Sequence, residues 1–159
     1  MTPPALVGDA PRVLIVDDET GILESLRILL KNEGFIPFTA HGGRAGVERI
    51  AELRPDIVLT DVRMPDVSGV QVLSTARQVD PDVPVILMTA QATLESAMQA
   101  VNEGAFYYIQ KPFRNDELLA ILRRAAEHRK IRVENTTLKQ EIRRRERTTS
   151  GRPIGRSKP

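Results

Sequence analysis

Five polar side chains in this 159-residue sequence follow directly on, or close, short apolar runs. Asp17 and Asp18 follow "RVLIV", Asp61 follows "DIVLT", Thr89 follows "VPVILM" and Lys111 follows "FYYIQ". Singly, each has an ordinary explanation: an Asp pair capping a helix, Asp61 as a turn former ahead of "MPDVSG", Thr89 as a helix cap, Lys111 as a surface lysine beside Pro112. Jointly they are the acids, hydroxyl and amine that one metal and phosphoryl site requires. Clustered carboxylates raise one another's pKa values unless a cation lies among them. The donors are all oxygen and the chain has no Cys, so the matching counter-ion is hard and divalent, Mg²⁺. The chemistry that uses the set is phosphoryl transfer to a carboxylate. Asp61 would be the nucleophile and form an acyl phosphate. Asp18 and Asp61 would hold Mg²⁺, with Asp17 acting through water, and Lys111 would pair with a phosphoryl oxygen.

For these groups to meet, the apolar runs must be neighbouring strands whose carboxyl ends share one rim. The runs at 12–16, 56–60 and 83–88 are continuous rather than alternating, as suits strands buried on both faces of a parallel sheet. Weaker strands are expected at 35–39 and 106–110, and Pro37 favours an edge for the first of these. Between them the spacing turns helical: Ile22, Leu26, Leu29, Leu30; Val47, Ile50, Ala51; Val70, Leu73, Ala76; Leu94, Ala97, Met98, Val101. Five βα alternations with short connections predict an α/β, doubly wound, five-stranded parallel sheet with helices on both faces. Ligands in such sheets sit beyond the carboxyl ends of the strands.

A last helix is expected from an N-cap at Asn115, followed by Asp116 and Glu117 where the helix dipole favours negative charge. No Gly or Pro interrupts the sequence from there until Gly151, so this helix should be about twice the ordinary length. Ile131, Asn135, Leu138 and Ile142 are spaced 4, 3 and 4 apart, a short coiled-coil seam in which Asn135 would favour a parallel dimer in fixed register. Past Arg123 the composition is too polar to pack as part of the domain. The charge divides in the same region: residues 1–122 carry 10 Lys and Arg against 17 Asp and Glu, while residues 123–159 carry 13 against 4. An acidic body with a basic tail is expected, not a basic nucleic-acid-binding globule. The N-terminus lacks a basic segment followed by an apolar core, and no run approaches the roughly 20 apolar residues that span a bilayer. With no Cys to form disulfides, the expectation is a cytoplasmic protein without membrane contact.

The motifs "VLIVDDE", "DIVLTDVRMPDVSG", "VILMTA" and "GAFYYIQKPF" resemble the receiver domain of two-component response regulators, over residues 12 to about 128. The resemblance implies a flavodoxin-like strand order of 2-1-3-4-5 and a phosphoacceptor that takes its phosphoryl group from a sensor histidine kinase. It implies a protein that is not an enzyme, although it assists its own phosphorylation and dephosphorylation. By position Asp61 is then the acceptor, Asp17 and Asp18 the acidic pocket, and Arg63 the donor of a backbone carbonyl to Mg²⁺. Thr89 is the switch hydroxyl, Lys111 the motif lysine, Tyr108 the aromatic switch, and Lys111-Pro112 a cis bond. Where the family often has Asp, this chain has Tyr107.

The tail "EHRKIRVENTTLKQEI" resembles the linker helix of the NtrC family of sigma-54-dependent transcriptional activators, and "PIGRS" resembles the segment that opens their AAA+ domain. That implies a flexible N-terminus over 1–11, a receiver over 12–128, a linker helix over 129–150, and over 151–159 a linker into the start of a truncated AAA+ domain. It also implies a homodimer through the linker helix and receiver face, with AAA+ and DNA-binding domains elsewhere in the full-length protein. A receiver coupled to another output domain is the first alternative. An Asp-nucleophile phosphatase of the haloacid dehalogenase type is the second, but it resembles a DxD pair, where this chain has Arg63 two residues after Asp61. Direct DNA binding by the basic tail is not expected, because Glu residues interrupt it and no helix-turn-helix follows.

Overall fold

The computed structural model describes residues 10–149. Strand and helix alternate as β1 (Arg12–Asp17), α1 (Thr20–Asn32), β2 (Ile36–His41), α2 (Gly43–Leu53), β3 (Ile57–Asp61), α3 (Gly69–Val79), β4 (Val85–Thr89), α4 (Leu94–Asn102), β5 (Tyr107–Gln110) and α5 (Asn115–Thr149). The five strands are all parallel and ordered β2-β1-β3-β4-β5. Pro37 lies on β2, at the edge, where its missing N–H costs no ladder bond.

The continuous apolar runs are explained by the two faces of the sheet. Val13, Ile15, Ile57, Leu59, Ile86, Met88 and Ile109 face α1 and α5, meeting Leu23, Leu26, Leu30, Leu118 and Leu122. The alternate residues Leu14, Val16, Val58, Val85 and Leu87 face the other way, against Ile50 of α2, Val72 and Leu73 of α3 and Ala100 of α4. Period-two alternation is therefore present, but both faces are apolar, so it is invisible as polarity.

Boundaries differ from the sequence reading by a residue or two, for local reasons. β4 begins at Val85 rather than 83, behind Pro84, which has no N–H to give the ladder and offers only its carbonyl, to Val58 N–H. β2 runs on to His41 because Asp17 pairs with it. α5 includes Asn115 in its first turn and Leu118 N–H bonds to the Arg114 carbonyl, so the expected Asn115 N-cap lies one residue too late. α4 is capped by Thr93 in a reciprocal capping box with Ser96, and Thr89 has no part in it.

Packing also runs further along α5 than the polar composition past Arg123 implied. Ala125 is fully buried and Ala126 packs against the same cluster. Small alanines one turn after Ile121 and Leu122 continue the buried stripe without adding bulk. Arg129 then pairs with Asp80 at 2.8 Å and Asp56 at 3.6 Å. The chain divides into two compact units after Arg129. In the second, Ile131, Leu138 and Ile142 stand 48%, 58% and 52% exposed. The flexible N-terminus expected over 1–11 lies outside the described residues except for Ala10 and Pro11; the Pro11 carbonyl accepts from Ile36 N–H. The linker expected over 151–159 lies outside them entirely. Among the described residues no helix is long and apolar enough to cross a membrane.

Candidate functional site

The strand order places the carboxyl ends of β1, β3, β4 and β5 side by side, and each delivers the polar group expected of it. Asp17 ends β1, fully buried; Asp61 ends β3, 7% exposed; Thr89 ends β4, 2% exposed. Lys111 follows β5 and is held there by its own N–H, which donates to the Thr89 carbonyl at 2.7 Å. The Lys111-Pro112 peptide bond is cis. From this position the Lys111 amine donates to Asp17 Oδ2 at 3.0 Å and lies 3.6 Å from Asp61 Oδ1. One ammonium thus ties together two carboxylates that arrive on different strands.

The charges do not balance. Carboxylate oxygens of Asp17, Asp18 and Glu19 lie within 4.8 Å of one another, with Asp18 half-buried and Glu19 exposed. Asp61 has its pKa raised, first by burial and then by the charge of Asp17. Lys111 opposes the shift, Asp18 adds to it, and the nearby Arg63 backbone N–H lowers it. Asp17 is the more fully committed acid: Oδ2 takes Lys111, and Oδ1 takes the N–H of Glu19 at 3.0 Å. Asp18 and Asp61 retain open oxygens beside an excess of negative charge. This all-oxygen donor set fits a hard divalent cation and offers nothing to a soft one.

Thr89 is locked into a local turn. Its hydroxyl accepts from Gln91 N–H at 3.1 Å and donates to the Gln91 carbonyl at 3.3 Å. The two tyrosines are separated by the alternation of β5. Tyr107 turns toward α5, where the Arg124 guanidinium lies 6.0 Å from its ring centroid. Tyr108 packs against the α2–α3–α4 cluster, and its hydroxyl shares a hydrogen bond with Ser96 Oγ of α4. Arg63 lies in the exposed loop after Asp61, between β3 and α3.

That loop is shaped by contacts absent from the sequence reading. A Cβ on Gly69 would stand 2.2 Å from the Asp61 carbonyl oxygen, so only glycine lets α3 start this close to the end of β3. Gly69 N–H bonds to the Val62 carbonyl, and Ser68 caps α3 in a reciprocal box with Gln71. Asp66, read only as part of a turn, accepts from the N–H groups of Gly43 and Arg44 at the start of α2. No sequence pattern links residues more than twenty positions apart in this way. Ser96 was equally hidden, because T-x-x-S departs from the usual T-x-x-E capping signature.

A doubly wound parallel sheet carrying a buried acid, an acidic cluster and a bridging lysine on its carboxyl rim defines a class: α/β domains with a charged site at the strand ends. Within that class, residues 13–123 match the response regulator receiver domain, and the chain belongs to that family. It is 40% identical over 131 residues to the regulatory protein AtoC of Escherichia coli, covering 82% of this chain and 28% of that protein. It is 35% identical over 157 residues to the C4-dicarboxylate transport transcriptional regulatory protein DctD of Pseudomonas aeruginosa, covering 99% of this chain and 34% of that protein. The chain thus spans about a third or less of these curated relatives. A receiver domain crystal structure from Methanospirillum hungatei superposes with a TM-score of 0.74 at 31% identity, covering 77% of this chain and 98% of that one.

Proposed function

We propose that this chain is the phosphoacceptor receiver of a two-component response regulator, phosphorylated on Asp61 by a sensor histidine kinase. The observation that carries the reading is the Lys111 amine set between Asp17 and Asp61, beside carboxylate oxygens still open on Asp18 and Asp61. An Asp61 oxygen attacks the phosphorus of a phosphohistidine, the N–P bond breaks, and the imidazole keeps the electron pair and takes up a proton. Burial and the neighbouring acids make the free Asp61 anion costly, and the acyl phosphate adds further negative charge there, so the transfer depends on cationic groups beside it. Asp18, Asp61 and the Arg63 backbone carbonyl would hold Mg²⁺, with Asp17 contributing through water. Bound there, Mg²⁺ neutralises charge on the transferring oxygens. Lys111 exchanges its contact with Asp61 for one with a phosphoryl oxygen.

Thr89 leaves its turn with Gln91 to donate to the phosphoryl group, and the space it vacates is open to Tyr108. Tyr108 can occupy it only by giving up Ser96, which frees the α4 face. The response is a shift between two packings, driven by contacts that exist only when Asp61 is phosphorylated. The receiver occupies 12–128, the helix over 129–150 links two copies through Ile131, Asn135, Leu138 and Ile142, and 151–159 leads into a sigma-54-type AAA+ output domain. The match to DctD over 99% of this chain supports that arrangement, because it extends through the tail. The full-length protein would be cytoplasmic, with DNA contact made by a further domain and not by this basic helix.

Acetyl phosphate with Mg²⁺ tests the chemistry. Intact mass should show one phosphoryl adduct, absent without Mg²⁺ and absent in Asp61→Asn. Repeated turnover of small phosphate esters, or an adduct that survives in Asp61→Asn, would overturn the reading in favour of a phosphatase or another acceptor.

A further inference from the structure

The loop between Asp61 and α3 is tied to α2, an element that contributes no group to the site. The N-cap of α2 is Gly42, which has no side chain to accept from the free N–H groups of the first turn. Asp66 does so from across the fold. Its Oδ1 accepts from Gly43 N–H at 3.1 Å and from its neighbour Val67 N–H at 2.7 Å, and its Oδ2 accepts from Arg44 N–H at 3.0 Å. The backbones are pressed together at the same place: a Cβ on Gly43 would stand 2.1 Å from the Val67 carbonyl oxygen, and one on Gly42 would stand 3.2 Å from Asp66 Oδ2. Asp66 is exposed, so neither burial nor core packing accounts for a carboxylate with three N–H partners.

We propose that Asp66 is a positioning residue: by capping α2 in place of Gly42 it holds the segment from Val62 to Val67 in register, and with it the Arg63 backbone. The inference rests on the reading of Asp61, Asp18 and the Arg63 carbonyl as the Mg²⁺ site. Its logic is geometric. The loop is fixed at its start by Val62 N–H on the Met88 carbonyl and at its end by Gly69 N–H on the Val62 carbonyl. Between these, Met64 and Val67 pack on the core, and Asp66, three residues after Arg63, supplies the hydrogen-bonded tie to α2. Without it the middle of the loop keeps its ends but loses its set position, and groups that support a metal ligand are worth about tenfold or more in metal affinity.

The test is direct titration of Mg²⁺ into the unphosphorylated full chain, followed by calorimetry or amide chemical shifts, for the wild-type protein, Asp66→Ala, Asp66→Asn and Ile50→Val. Ile50→Val removes one methylene from the buried face of α2 and leaves the Asp66 hydrogen bonds in place. Asp66→Ala should raise the Mg²⁺ dissociation constant about tenfold. Asp66→Asn should fall between, since its carbonyl still serves Gly43 and Val67 while its amide cannot accept from Arg44. Ile50→Val should bind as the wild type does. In acetyl phosphate reactions Asp66→Ala should need more Mg²⁺ for half-maximal phosphorylation yet reach the wild-type rate at saturation. Equal Mg²⁺ affinity in wild type and Asp66→Asn, with Asp66→Ala either equal or unfolded, overturns the proposal and leaves the Asp61 site intact. Loss of affinity in Ile50→Val equal to that in Asp66→Ala reduces Asp66 to a helix cap and also overturns it. Absence of Mg²⁺ binding in the wild type removes the site itself, and the proposal with it.

Discussion

Asp61 is a poor place for a charge when no cation accompanies it. Its folded-state pKa lies above the unfolded value, through burial and the charge of Asp17. Its contribution therefore favours folding below the unfolded carboxylate pKa and is lost as pH rises through the folded one. Metal-free Asp61→Asn is accordingly expected to unfold at higher urea concentration than the wild type at pH 7. The gap should close as pH falls into the carboxylate range; a gap that widens instead would mean that Asp61 is stabilised as an anion. Asp61, Asp17, Asp18, Thr89 and Lys111 were legible as candidates because each follows an apolar run. Asp66 and Ser96 were not, because what matters about them is a partner on another element. The tyrosine facing α4 follows from the pleat of β5, which sends Tyr107 and Tyr108 to opposite faces.

The elements set how closely these residues approach. α3 starts against the last carbonyl of β3, and Gly69 is the residue that permits it. Gly69→Ala should cost at least about 2 kcal/mol in urea unfolding, since the added methyl meets backbone that cannot swing away. A cost below about 0.5 kcal/mol would show that the α3 start can shift freely. α5 carries a different expectation. Leu138 is 58% exposed in the isolated chain, and a dimer seam is the arrangement that would cover it. Leu138→Asp should convert a sedimenting dimer to a monomer while leaving Mg²⁺ affinity unchanged; an undisturbed dimer would exclude the seam. The strands and helices were readable from spacing, and their ends moved by a residue or two where Pro84 or the pairing of Asp17 with His41 decided the ladder. The reach of α5 packing to Ala125 was not readable, because alanine counts little in a polarity tally yet fits where the helix runs close to the sheet.

For the whole domain, a cation held at the acidic rim would couple to stability. A ligand bound only by the folded state adds RT ln(1 + [L]/Kd), about 1.4 kcal/mol at ten times Kd. For a chain of this size that corresponds to a rise of about 3–6 °C in Tm. Mg²⁺ at that excess should produce the rise in the wild type and much less of it in Asp61→Asn, by calorimetric melting at neutral pH. Equal shifts in the two proteins would place the cation elsewhere.

Sequence alone determined the α/β alternation, the parallel sheet, the edge position of β2 and the residues that end each strand, because apolar spacing and strand-end chemistry are local properties. The tertiary structure decided which of those ends meet. Only the alignment of four separate strand ends along one rim brings Lys111 to 3.0 Å from Asp17 and 3.6 Å from Asp61. Only the packing of α2 against the β3–α3 loop gives Asp66 its partners. A hydrogen bond between residues far apart in the chain leaves no periodicity to read, since its geometry exists only once the strands have been placed in order.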